Sequence, residues 1–256
     1  MAGFTGGGLL LVSCGDNNAQ DSGGTARPIG VATEEEGTRT VNVKEVAINN
    51  GVLYLLNNPG PFTGLVNDKW PDDNMKYQCV YTDGLRDGPE LAWHENGKRK
   101  LAAQYKANIQ DGQRQEWWDN GSMKRITPYL NGKPHGEAKG WHENGKLARI
   151  VKFEEGLPAG KSEGWWENGA RAEVVNYVNG KPDNYSIKWF PNGKTNQITF
   201  NHDGVKHGAE TTWHPNGQKK MQLNFVNGKA NGDVLEWHSN SQQLSITKYV
   251  NGVEHG

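Results

Sequence analysis

Aliphatic side chains are scarce along these 256 residues: only 34% are hydrophobic, and the mean hydropathy is -0.84. This argues against the thick two-layer core that a chain of this length could otherwise bury. Cysteine is nearly absent, and Cys14 and Cys79 lie in segments of quite different character. A disulfide framework is therefore not expected. Neither sign of charge prevails, because 28 basic and 29 acidic residues leave a formal charge of -1. Such a balance supplies no long-range field for nucleic acid or anionic membrane, so nucleic acid is not an expected partner and recognition must rest on local surface. No apolar run approaches the roughly 20 residues of a membrane-spanning helix. What the chain has instead is glycine, 34 residues, and tryptophan, 10 residues.

These two residue types recur with a period of 24. Gly64, Gly88, Gly112, Gly136, Gly160, Gly208, Gly232 and Gly256 all fall on it, interrupted only by Asn184, a residue type that also tolerates left-handed backbone. Counting each marker as position zero, eight units fit between 64 and 255. Position five is Trp93, Trp117, Trp141, Trp165, Trp189, Trp213 and Trp237, whereas the first unit has Lys69 there and Trp70 next. Positions eight and nine read Asn-Gly in six units, with Asp72-Asp73 and Asn240-Ser241 at the two ends. Position seventeen is Tyr or Phe except in unit six, where Phe200 comes one place early and Asn201 takes its place. A fixed period of this kind signals a repeat architecture.

Asn-Gly between runs of strand-forming residues predicts a hairpin with a two-residue type I′ turn. Each unit is then strand, turn, strand, and a second turn at segments such as 131–136 leads to the next unit. The prolines there, Pro134 and Pro182, are expected in that turn. No helical period is visible and glycine recurs too often for helix. The expected fold is all-β: an elongated meander of repeated antiparallel hairpins in a single curved sheet, about sixteen strands long, over residues 64–256.

Strand alternation assigns positions to faces. Trp at five shares one face with position fourteen, for example Ile126 and Ile150. Position six, which is Trp70, His94, Trp118, His142, Trp166, Phe190, His214 and His238, shares the other face with the rings at seventeen. A single-layer sheet cannot hide both faces, so part of this aromatic stripe is expected to meet a partner. The candidate contact residues are Trp118, Trp166, Phe190, His214, His238, Tyr129 and Tyr177. Cross-strand packing alone is the competing role for each ring.

Chemistry beyond contact finds little support. Equivalent histidines in neighbouring hairpins lie two strands, about 10 Å, apart, whereas zinc ligands converge to about 2.0 Å from the ion, so no metal site is expected. Glu95, Asp119, Glu143 and Glu167 recur beside turns as part of the repeat, and no nucleophile or phosphate loop stands apart from it. No catalytic residue, enzymatic activity or cofactor is expected. Asn184 and the Phe200-Asn201 shift in unit six are the breaks in which a special feature would be sought.

Before the array, residues 41–63 are expected to form leading and capping strands. Residues 15–40 are poor in large apolar side chains and contain Glu34-Glu35-Glu36, so they are expected to be a flexible linker. Leu9-Leu10-Leu11-Val12-Ser13-Cys14 resembles the lipobox of bacterial lipoproteins, which makes residues 1–14 a candidate signal and Cys14 a candidate lipid anchor, although Met1 to Gly8 lacks the usual Lys or Arg. The expected location is the cell envelope if Cys14 is processed and the cytoplasm otherwise.

The units themselves resemble the bacterial variant of the MORN repeat found in YwqK-like antitoxins. Trp-His-Glu-Asn-Gly-Lys at Trp93 and Trp141, Trp-Trp-Glu-Asn-Gly at Trp165, and Tyr-Val-Asn-Gly at Tyr177 and Tyr249 carry the resemblance, with Pro61-Phe62-Thr63-Gly64 as the approach to the first unit. It extends over about residues 45 to 256 and implies a scaffold with no catalytic residues to carry over. Members are described as antitoxin or immunity-like components and often as lipoproteins. The resemblance therefore implies a non-enzymatic scaffold that binds a protein partner such as a cognate toxin, with a lipoprotein contacting lipid or peptidoglycan as the alternative.

Overall fold

A computed structural model describes residues 39–255. Almost everything in it is strand: twenty-two strands join in one sheet and two more form a separate hairpin. The repeat explains the sheet. Unit four is representative, with Gly136–Trp141 running antiparallel to Leu147–Glu154 in the register Gly136↔Phe153, Ala138↔Val151 and Gly140↔Arg149. Leu147–Glu154 then turns into the short strand Leu157–Pro158 and pairs onward with Gly160–Trp165. Separate short return strands of this sort raise the strand number above the expected sixteen.

The central turn of a unit is not of the type expected. In the central turn the His142 N–H donates to the Lys146 carbonyl at 2.9 Å and the Gly145 N–H donates to the His142 carbonyl at 2.9 Å. Only Gly145 is left-handed, with φ +81°, and Asn144 is not. This is a three-residue loop, a type I turn closed by a left-handed glycine, rather than a type I′ turn. The type I′ turn is the return turn, where Asn131 and Gly132 both have positive φ, 50° and 78°.

Face assignment nevertheless holds. The extra loop residue moves the register by one place, and a bulge between Gly140 and Trp141 moves it back, so Lys139 lies opposite Ile150 as a two-residue loop would have placed it. The prolines also stand differently from expectation. Pro134, Pro158 and Pro182 are in the return strands, opposite Tyr129, Phe153 and Tyr177. That pair is the second from a two-residue turn, where the N–H points away from the partner strand, so proline forfeits no ladder bond.

The marker positions fall where the backbone is left-handed: Gly112, Gly136 and Gly208 have φ of 94°, 93° and 95°, and Asn184 reaches 66°. Asparagine is tolerated there for the reason that glycine is preferred.

The N-terminal end is closed by the chain itself. Thr40–Asn42 pairs in parallel with Gly64–Lys69, and a parallel pair needs a crossover of about a dozen residues or more. That crossover contains a one-turn 3-10 helix, Val43–Glu45, and the hairpin Val46–Asn49 and Val52–Leu55. Val41, Leu53 and Phe62 pack with Val66, Cys79 and Tyr81 of unit one in a buried cluster.

Candidate functional site

The position-six row performs a task that its spacing did not reveal. Trp118 Nε1–H donates to the Trp141 carbonyl at 3.2 Å, and Trp166 Nε1–H donates to that of Trp189 at 3.1 Å. His94, His142 and His214 place Nε2 at 3.0, 2.8 and 2.9 Å from the carbonyls of Trp117, Trp165 and Trp237. A carbonyl only accepts, so each of these histidines carries its proton on Nε2. In units two to five and seven Trp and His thus interchange at position six because both present a ring N–H that reaches the next unit, whereas the buried Trp70 Nε1–H of unit one meets no acceptor among the described residues. Asn120 and Asn144 add further stitches by donating Nδ2–H to the carbonyls of Glu143 and Glu167, while their Oδ1 atoms accept across their own turn from the N–H groups of Ser122 and Lys146. Along the opposite edge, the Gly156 N–H donates to the Pro134 carbonyl at 2.9 Å and the Gly204 N–H to that of Pro182 at 2.8 Å. Units two to seven are therefore bonded to the next hairpin at both ends as well as along the ladder.

One face of the sheet is grooved. Its main part lies over units three to five, an open groove of about 540 Å³. Trp118, Tyr129, Phe153 and Tyr177 line it with Pro134 and Pro158. Lys124 and Arg149 also reach it, and the Lys124 ammonium sits 4.3 Å from the centre of the Trp118 ring. Smaller depressions continue on either side, one lined by His94, Arg114 and Glu116, the other by Glu173, Thr199 and Lys206. Together they make a trough along the repeat axis.

Of the candidate contact residues, Trp118, Tyr129 and Tyr177 come together in this trough. Trp166 is 39% exposed and lies outside the lining. Phe190 is half-buried and has no ring N–H to offer, His214 is engaged with the Trp237 carbonyl, and His238 is exposed in the last unit. Phe153, Lys124 and Arg125 belong to the trough but were not singled out by sequence. Phe153 and Arg125, at positions seventeen and thirteen, share that face by alternation, whereas Lys124, at position twelve, is the extra residue of the bulge opposite Glu116 and Trp117.

Unit six ends the aromatic lining. Phe200 pairs with Tyr185 on the opposite face, where the two are 41% and 40% exposed. The trough there is polar instead: buried Glu210 accepts from Thr199 Oγ1 at 2.9 Å and pairs with Lys206 at 2.6 Å. The break in the repeat thus marks a boundary of the apolar groove.

Among the described residues, no three His, Cys, Asp or Glu side chains gather closely enough to hold a metal ion. Burial pushes the Cys79 thiol up to about 12, away from the reactive thiolate. No helix among the described residues is long and apolar enough to cross a membrane. Cys14 and most of the linker lie outside the described residues.

The fold and trough define a class, an open single-sheet array of stitched β-hairpins. Within it, residues 110–131, 134–155 and 206–227 match the family model described as MORN repeat variant. All three matches start at position twenty-two of one unit and end at position nineteen of the next. With the hairpin array, they support a MORN-repeat protein. No curated protein matches the chain.

Proposed function

We propose that this chain is a non-enzymatic scaffold that binds a protein partner through the aromatic trough of units three to five. The observation that carries the reading is the unequal cover of one face. At unit one the chain's own hairpin buries Val66, Cys79 and Tyr81, whereas Tyr129, Phe153 and Tyr177 line an open groove. Rigid rings beside an open groove give contact area at little entropic cost. MORN repeats are general modules that often mediate binding, which agrees with this use.

Within this reading, the finer function is antitoxin or immunity-like, the scaffold neutralising a cognate toxin by covering its active surface. The test is affinity capture with the full chain from cells that express it. Tyr129→Ala with Tyr177→Ala is compared with Tyr185→Ala on the opposite face, each checked for folding by circular dichroism. Loss of one bound protein from the trough variant alone supports the proposal, and equal capture by both variants contradicts it. An immunity role further requires that the captured protein be toxic when produced without this chain.

A second reading, a cell-envelope lipoprotein that contacts lipid or peptidoglycan, draws on the lipobox-like run ending at Cys14. Mass analysis of the protein from cells tests it: a diacylglyceryl group on Cys14 at a new N-terminus favours anchoring, and an intact unmodified leader removes it.

A further inference from the structure

We propose that the occupant of the trough is an acidic, extended peptide segment carrying large apolar side chains, which gives the scaffold reading above a partner chemistry. The lining of the main part includes Lys124, Arg125 and Arg149 and no carboxylate. Arg149 is tied to Glu173 at 3.3 Å. Lys124 is held over the Trp118 ring, and the exposed Arg125 has no ionic partner among the described residues. The nearest carboxylate, Glu116, stands opposite Arg125 in the ladder but is held by Arg114 at 2.7 Å, so these two cations beside an apolar floor form no ion pair of their own, in a molecule whose overall charge is -1. Electrostatic complementarity then selects an anionic partner, and the rings between the cations select apolar anchors on it.

The extent of the positive stretch favours a peptide over a nucleic acid. Carboxylates bound it on both sides, Glu116 in one flanking depression and Glu173 in the other. A polynucleotide running along the trough would bring its regularly spaced phosphates against both, whereas a short acidic segment fits between them. The chain itself shows what this face accepts. At unit one it holds a β-hairpin whose Leu53 N–H donates to the Gly84 carbonyl while the Leu53 side chain packs beside Tyr81. Extended backbone with an alternating apolar residue is thus already seated on the same row of positions.

The probe is a fluorescein-labelled peptide alternating Glu and Leu, of roughly eight residues, which at about 3.3 Å each is about 26 Å long and covers most of three units at about 10 Å per unit. Its binding to the full chain is followed by anisotropy, beside a Lys-Leu counterpart and an oligouridylate. The Glu-Leu peptide is expected to bind best and to weaken with added salt. Arg125→Glu is expected to weaken it by about tenfold, the scale of a close charge contact. Because a glutamate at position 125 would face Glu116 across the ladder, Arg125→Gln is measured beside it and circular dichroism checks the fold of both variants. Unchanged affinity in either folded variant, or equal binding of the Lys-Leu peptide or the oligouridylate, overturns the inference. If the trough variants lose a captured protein while no acidic peptide binds, this inference falls and the scaffold reading stands. If the peptide binds through Arg125 but capture ignores the trough, the scaffold reading falls instead.

Discussion

Tyr81 and Tyr129 occupy the same repeat position, two units apart, yet one is buried beneath a hairpin and the other faces an open groove. The repeat fixes where the ring points, and what lies above it fixes its use. Under the cap the face is a small hydrophobic core holding Leu53 and Cys79 at 3% and 0% exposure. Over units three to five the same row is half-buried and lined by cations. In an array of this kind stability along the axis comes from local ladders and stitches, and part of one face is left uncovered.

This contrast can be broken most severely under the cap. Leu53→Ala is expected to cost about 3 kcal/mol, as for a fully buried leucine, while Phe153→Ala in the open trough should cost less; denaturation of both variants gives the comparison. Equal losses would mean that the trough is as packed as the cap.

Gly145→Val is expected to lower stability by roughly 1 to 3 kcal/mol through positive φ alone, because no atom lies within 4 Å of a β-carbon built there. An unchanged melting temperature would count against the left-handed glycine of the central turn.

The stitches predict smaller effects of opposite sign. Trp118→Phe keeps the ring and removes its bond to the Trp141 carbonyl, with an expected loss of about 1 kcal/mol. Phe190→Trp is expected to gain up to about the same amount by supplying the missing donor. A melting temperature that moves the same way in both would contradict the stitching role.

The mildest effect concerns pH. Burial raises the Cys79 thiol from 9.0 to about 12, so its contribution to stability is complete below about pH 9 and is lost as pH rises from there toward 12. Iodoacetamide should therefore leave Cys79 unlabelled in the native protein at pH 8 and label it in denaturant. Rapid native labelling would show that the cap is loose.

The period, the hairpins and the division into faces were legible because glycine, tryptophan and aromatic rings recur at fixed positions. The turn types were not, since in units three, five and seven both turns contain Asn-Gly. Only the third loop residue before Gly145 and the compensating bulge at Trp141 distinguish them. The stitches were hidden for another reason: the acceptor is a backbone carbonyl, such as that of Trp141, which leaves no mark on residue type. Yet a signal existed, because position six is Trp or His in every unit but one, and those two share a ring N–H. Of the trough lining, the stripe read from sequence includes Trp118, Tyr129 and Tyr177. Arg125 was legible from the same alternation as Tyr129, whereas Lys124 reaches the groove only through the bulge.

The decisive measurement is photo-crosslinking in cells, with a benzophenone side chain replacing Tyr129 on the grooved face or Tyr185 on the opposite one. A discrete protein adduct from position 129 and none from position 185 is the expected result. Adducts from position 185 alone, or none from position 129, would show that the trough is not where the partner sits.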